Sequence, residues 1–162
     1  MFFRKKSPLP QVGTRAPEFR LAQPGGGEVT LADLLAAGPA LLAFFKMSCP
    51  VCQMTLPFLD RIRAGGGLRV YGISQNDRTD TRQFAQEYGL RFPLLLDSED
   101  DRFPASNAYG ISHVPTTFLV EPDGMVARAL EGWVKTDILW LGARAGMNPI
   151  GAEENVPEWK AG

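Results

Sequence analysis

The apolar positions of this chain switch between two periods. Ala40-Leu41-Leu42-Ala43-Phe44-Phe45 is an unbroken apolar run, and it predicts a buried strand over residues 40–46. Val51, Phe58, Leu59 and Ile62 then recur at helical spacing and predict a helix from Pro50 to Ala64. Gly65-Gly66-Gly67 stops it. Leu68–Ser74 reads as a second strand, and Arg78–Tyr88 as a helix with Phe84, Ala85 and Tyr88 inward. Phe92–Leu96 is a short strand and Pro104–Tyr109 a short helix. Thr116–Glu121 and Met125–Leu130 are strands joined by the turn Pro122-Asp123-Gly124. Ile138, Leu141, Gly142 and Ala145 mark a last helix over Lys135–Ala145. Phe44, Phe45, Phe118 and Trp140 are expected in the core.

The ends differ from this middle. Residues 1–11 read as an extended segment rich in proline and basic residues. Glu18–Ala22 and Glu28–Thr30 flank Pro24-Gly25-Gly26-Gly27 and predict a hairpin, followed by a short helix over Leu31–Ala37. Residues 147–162 are polar with two prolines and read as a loose tail. Strands alternating with helices predict an α/β domain over 12–146. It has a mostly parallel sheet covered on both faces and an antiparallel closing edge.

Composition narrows the function. The chain has 162 residues, a net charge of −1 and 44% apolar residues, so it can bury one core. Acids and bases are mixed, which argues against nucleic acid or an anionic membrane as the main partner. No run approaches the about 20 apolar residues of a membrane span. The basic N-terminus is not followed by the apolar segment of a signal peptide. The sequence as given therefore reads as cytoplasmic; a chain trimmed of a leader would read the same and be extracytoplasmic.

The only two cysteines stand in Cys49-Pro50-Val51-Cys52, between the buried strand and the helix. So short a loop gains little as a structural staple, and two cysteines with one histidine cannot complete a structural zinc site. Dithiol–disulfide chemistry fits the placement. Pro50 suits the first helical position, which puts Cys49 at the helix N-terminus, where free N–H groups and the helix dipole favour a thiolate. Cys52 lies one turn in and is placed to resolve a mixed disulfide. Pro57 falls inside the helix, and the apolar face continues past it, so a kinked helix is expected.

His113-Val114-Pro115-Thr116 is the second informative segment. A proline that opens a buried strand belongs at a strand start or a tight turn, where X–Pro bonds can be cis. His113, the only histidine, and Lys46, three residues before Cys49, are candidates for tuning the thiol. Gln75-Asn76-Asp77 follows the second strand, where it could line the site, and is read first as a plain loop and helix cap.

Together these segments resemble the thioredoxin fold and, within it, the TlpA/ResA-type thiol–disulfide oxidoreductases and the related AhpC/TSA (peroxiredoxin-like) group. The resemblance covers roughly residues 12–146. It rests on Val12–Phe19, Phe44–Cys52 with Pro57, Tyr71–Ser74, Tyr109–Val120 and Pro122-Asp123-Gly124. It implies a central mixed sheet with helices on both faces, an N-terminal β-hairpin and a strand–helix insertion between 78 and 109. It also implies that Cys49 is the nucleophile, Cys52 the resolving thiol and Pro115 cis beside them. Pro50, Val51 and Val114 would contact the substrate, with the Val114 backbone pairing with an extended partner segment. The implied partners are protein thiols and disulfides with an upstream reductant or oxidant. No metal or other cofactor is implied beyond the Cys49–Cys52 disulfide itself.

The departures from that pattern carry weight. A buried Asp is usual six residues before the first cysteine, and Ala43 stands there; a Glu is frequent three residues after the second, and Thr55 stands there. The tryptophan usual before the motif is replaced by Met47-Ser48. Peroxiredoxins carry Pro-x-x-x-Thr/Ser-x-x-Cys, and Leu42 and Lys46 occupy its Pro and Thr positions. A thioredoxin-dependent peroxide reductase is therefore the second reading, and a non-catalytic thioredoxin-fold binding module the third.

Overall fold

The computed structural model describes residues 7–162; part of the extended segment expected over 1–11 lies outside the described residues. The chain order is β1 (Arg20–Ala22), β2 (Glu28–Thr30), α1 (Leu31–Leu35), β3 (Ala40–Phe45), α2 (Pro50–Ala64) and β4 (Arg69–Ser74). There follow α3 (Arg78–Tyr88), β5 (Leu94–Leu96), a 3-10 turn at Glu99–Asp101, α4 (Pro104–Ala108), β6 (Thr116–Val120) and β7 (Val126–Glu131). The last elements are β8 (Trp133–Val134), α5 (Lys135–Arg144) and β9 (Trp159–Lys160).

Seven strands form one sheet in the order β2-β1-β5-β4-β3-β6-β7. Only β3–β4 and β4–β5 pair in parallel, so the sheet is mixed rather than mostly parallel. The connection from β5 through α4 passes β4 and β3 to reach the far side, and β6 arrives reversed against β3. The N-terminal hairpin joins the other side, where Ala22 pairs with Leu96.

Strand β3 is buried on both faces, and its period of two divides the protein into two cores. Leu41, Ala43 and Phe45 pack with Cys52, Leu56, Leu59, Phe84 and Leu141. Ala40, Leu42 and Phe44 pack with Leu31, Tyr109 and Phe118. The loop that carries the cysteines thus leaves a strand anchored on both sides. Helix α2 runs unbroken through Pro57, with Phe58, Leu59 and Ile62 buried as its pattern predicts.

Two further expectations need correction. Trp140 is a surface residue, 36% exposed; the Arg128 guanidinium lies 4.3 Å above its ring and shields the indole face. Residues 147–162 are not loose. Ile150 is buried, the Trp133 indole N–H donates to the Pro157 carbonyl at 2.6 Å, and the Lys135 N–H donates to that of Glu158 at 2.9 Å. Arg61 of α2 holds both the Pro149 carbonyl and the Glu154 carboxylate. β9 pairs antiparallel with β8. A few apolar and hydrogen-bonded anchors among polar residues fix this segment, where composition alone suggested solvent.

Candidate redox site

Cys49 is the N-cap of α2, in extended conformation, with Pro50 at the first helical turn. An N-cap must satisfy helix N–H groups that lack intrahelical partners, and here the sulfur does so. The Cys52 N–H donates to Cys49 Sγ at 3.1 Å. On its other side the Cys49 thiol donates to the Val114 carbonyl at 3.2 Å. The Val114–Pro115 peptide is cis. The two segments singled out in the sequence therefore meet at one sulfur.

Cys49 is half-buried and Cys52 fully buried; both are free thiols. Burial pushes the Cys52 thiol well above the ordinary thiol range, and the adjoining Cys49 sulfur pushes the same way. No carboxylate stands at either position the resemblance pointed to. Ala43 is buried in the same core as Cys52. Thr55 is 1% exposed, and its hydroxyl has no hydrogen-bond partner among the described residues.

The loop before Cys49 is braced by two side chains from outside it, of which Gln53 carried no signal in the sequence. Asn76 Oδ1 accepts the Met47 N–H at 2.8 Å, and Gln53 Nε2 donates to the Met47 carbonyl at 2.9 Å. Asn76 follows β4 and Gln75 in the segment that the sequence offered either as site lining or as loop and cap, and it reaches the site loop; Asp77 caps α3. The cis-proline loop is held by Thr116 Oγ1, which donates to the His113 carbonyl at 2.8 Å. The Gly132 N–H donates to that of Pro115, also at 2.8 Å.

Pro50 is exposed and Val51 half-buried beside the sulfur. Lys46 and His113 are exposed on the same side and line a cleft together with Val114. His113 Nδ1 lies 3.9 Å from Glu131 Oε1. The end of the described chain also reaches the site. A Cβ added at Gly162 would press on the Val114 carbonyl, and one at Gly132, where φ is +72°, would strike the Lys160 carbonyl. Among the described residues no group of three or more His, Cys, Asp or Glu could hold a metal, and no helix is long and apolar enough to cross a membrane.

A CxxC-capped helix leaving a central strand, faced by a cis-proline that opens the neighbouring strand, is the arrangement of a thioredoxin-fold protein, and its relatives make it one of TlpA/ResA-like type. The chain belongs to the AhpC/TSA family, which it matches over residues 12–129. It is 31% identical over 142 residues to thiol-disulfide oxidoreductase ResA of Geobacillus thermodenitrificans, across 85% of this chain and 79% of that one. Its fold is similar to the thioredoxin domain of a thiol-disulfide oxidoreductase from Bacteroides vulgatus. The TM-score is 0.71 and the identity 23%, over 85% of this chain and 99% of that one. Peroxidoxin BcpB from Mycobacterium tuberculosis matches with the same TM-score at 20% identity, over 85% of this chain and 97% of that one. The fold is therefore shared by proteins named as a thiol-disulfide oxidoreductase and as a peroxidoxin, and the fold alone does not separate them.

Proposed function

We propose that this protein exchanges disulfides with partner proteins through Cys49 and Cys52. The observation that carries the reading is the placement of Cys49 Sγ between the Cys52 N–H and the Val114 carbonyl. An N–H aimed at sulfur strengthens as the sulfur becomes anionic. The half-buried Cys49 thiolate attacks one sulfur of a partner disulfide, forming a mixed disulfide and releasing the partner's other sulfur as thiolate. Cys52 then gives up its proton and attacks Cys49 Sγ. The Cys49–Cys52 disulfide forms, and the second partner sulfur leaves, taking up a proton. The pair is oxidised by two electrons and the partner disulfide reduced by two. Run backwards, the same steps oxidise a partner dithiol.

Val114 and the cis Pro115 form the wall on which an extended partner segment pairs, with Pro50 and Val51 contacting it from the helix side. Lys46 and His113 act from the rim. The peroxidase reading gains no support from the site: position 46 offers an exposed lysine in place of a hydroxyl, and position 42 is a leucine buried in the sheet.

The test is a pair of substitutions. Cys49→Ser is expected to abolish insulin-disulfide reduction, and Cys52→Ser to accumulate mixed disulfides that mass spectrometry detects. Turnover retained in Cys49→Ser would sink the mechanism. Titration of the pair against glutathione then sets the favoured direction.

A further inference from the structure

The cleft beside the sulfur has a volume of about 290 Å³ and shares Val114 with the redox site. Its other walls include Lys46, Gln75, Phe103, Ser106, Ser112 and His113. The Lys160 carbonyl lies close to Gly132 and Gly162 lies close to the Val114 carbonyl, but residues 160–162 do not line the cleft.

Its floor is built rather than accidental. Phe103 has φ +50° and ψ 56°, the left-handed region that a bulky residue rarely adopts, and Arg102 before it has φ +62°. Such backbone persists only where its surroundings over-determine it, and it clusters at ligand clamps. Here Asn107 Nδ2 donates to the Arg102 carbonyl at 2.8 Å. The fully buried Asp97 carboxylate accepts the Ala105 and Ser106 N–H groups at 2.8 and 2.7 Å. Gln75 Nε2 donates to Ser106 Oγ at 2.9 Å, which fixes the polar back wall.

The charge of the lining is one-sided. It includes a lysine and a histidine and no carboxylate. His113 has Glu131 nearby, but Lys46 has no ion-pair partner among the described residues.

We propose that this cleft is the subsite for the partner residue next to the attacked cystine, and that it selects an acidic side chain there through Lys46. This rests on the disulfide-exchange reading above. A partner strand pairing at Val114 runs its neighbouring residue past the Lys46 ammonium. An aspartate or glutamate is attracted at that point and a lysine or arginine repelled. The substrate class is thus a protein or peptide disulfide flanked by acidic residues.

The test uses two synthetic peptide disulfides that differ only in carrying Asp or Lys beside each half-cystine. Each is mixed with the reduced protein, and thiol oxidation is followed by acid quench and alkylation. The wild type is expected to react about three to five times faster with the Asp peptide, as one solvent-screened ion pair supplies. That ratio falls to about one in Lys46→Ala or in about 0.5 M salt, inverts in Lys46→Glu, and shrinks in Ser112→Asp, an exposed position of the same lining. Taking the ratio within each variant cancels any effect of residue 46 on the sulfur itself. Equal rates for both peptides in the wild type, or an unchanged ratio in Lys46→Glu, overturns the subsite while leaving exchange intact. Oxidation of the pair by neither peptide, together with failure of the oxidised pair to oxidise the matching peptide dithiols, overturns the exchange reading and the subsite with it.

Discussion

The Val114 carbonyl accepts the Cys49 thiol at 3.2 Å, from a residue 65 positions away in the chain. The second contact, from the Cys52 N–H, is also to backbone. No side-chain truncation removes either group. The sulfur's setting therefore depends on residues that hold backbone in place, and these are where substitutions are informative.

Asn76 is one of them. Asn76→Ala leaves the half-buried Met47 N–H without its acceptor, at a cost of about 1–3 kcal/mol in urea denaturation. Loosening the segment that enters the CxxC turn is also expected to slow insulin-disulfide reduction roughly threefold to tenfold. Asn76→Asp keeps an acceptor oxygen and should recover most of both losses.

Cys52 imposes a pH dependence. Its folded thiol sits above the ordinary range, first because of burial and then because of the Cys49 sulfur. In the proposed exchange the resolving step needs the Cys52 thiolate, so its rate should climb about tenfold per pH unit through neutral and mildly alkaline pH, without a plateau there. Stability moves the other way. The unfolded thiol ionises near 8.5 and the folded one higher, so the contribution is complete below about pH 8.5 and falls by about 1.4 kcal/mol per unit above it. It is gone once pH passes the folded value. Urea denaturation of reduced protein at pH 7–10, with Cys52→Ala lacking this slope, is the measurement.

Gly132 should be intolerant for two reasons at one position. Its φ of +72° disfavours any side chain, and a Cβ there would strike the Lys160 carbonyl. Gly132→Ala is expected to cost about 1–3 kcal/mol and to detach residues 158–162. Hydrogen exchange reads the detachment directly, since the Lys135 N–H is protected by the Glu158 carbonyl.

Thr55 should behave oppositely. Its buried hydroxyl is unpaired, so the near-isosteric Thr55→Val removes a desolvation cost and is expected to raise stability by about 1–2 kcal/mol. A loss of stability, measured in urea, would show that the hydroxyl is satisfied in solution.

Much of this was legible in the sequence, for identifiable reasons. The bounds of α2 and α3 follow from strong local signals: a proline at the start and glycines at the end of one, an Asp cap and Gly89 at the ends of the other. The apolar run of β3 announced a strand buried on both faces. What local pattern could not carry was pairing across distance. Nothing in Gln53 or Asn76 marks them as braces of Met47, because their partners come from different elements. Residues 147–162 misled for a related reason. Their anchors are Ile150 and backbone carbonyls that receive Trp133 and Lys135 donors, and carbonyls have no sequence signature. Trp140 looked like core by size, yet Arg128 covers it at the surface.

The position of Gly162 against the Val114 carbonyl has a practical side. Anything attached after residue 162, whether further chain or an affinity tag, starts beside the thiol pair. Turnover measured on a protein tagged at that end reports crowding at the mouth of the site along with the chemistry inside it. Removal of such a tag before kinetics belongs among the controls.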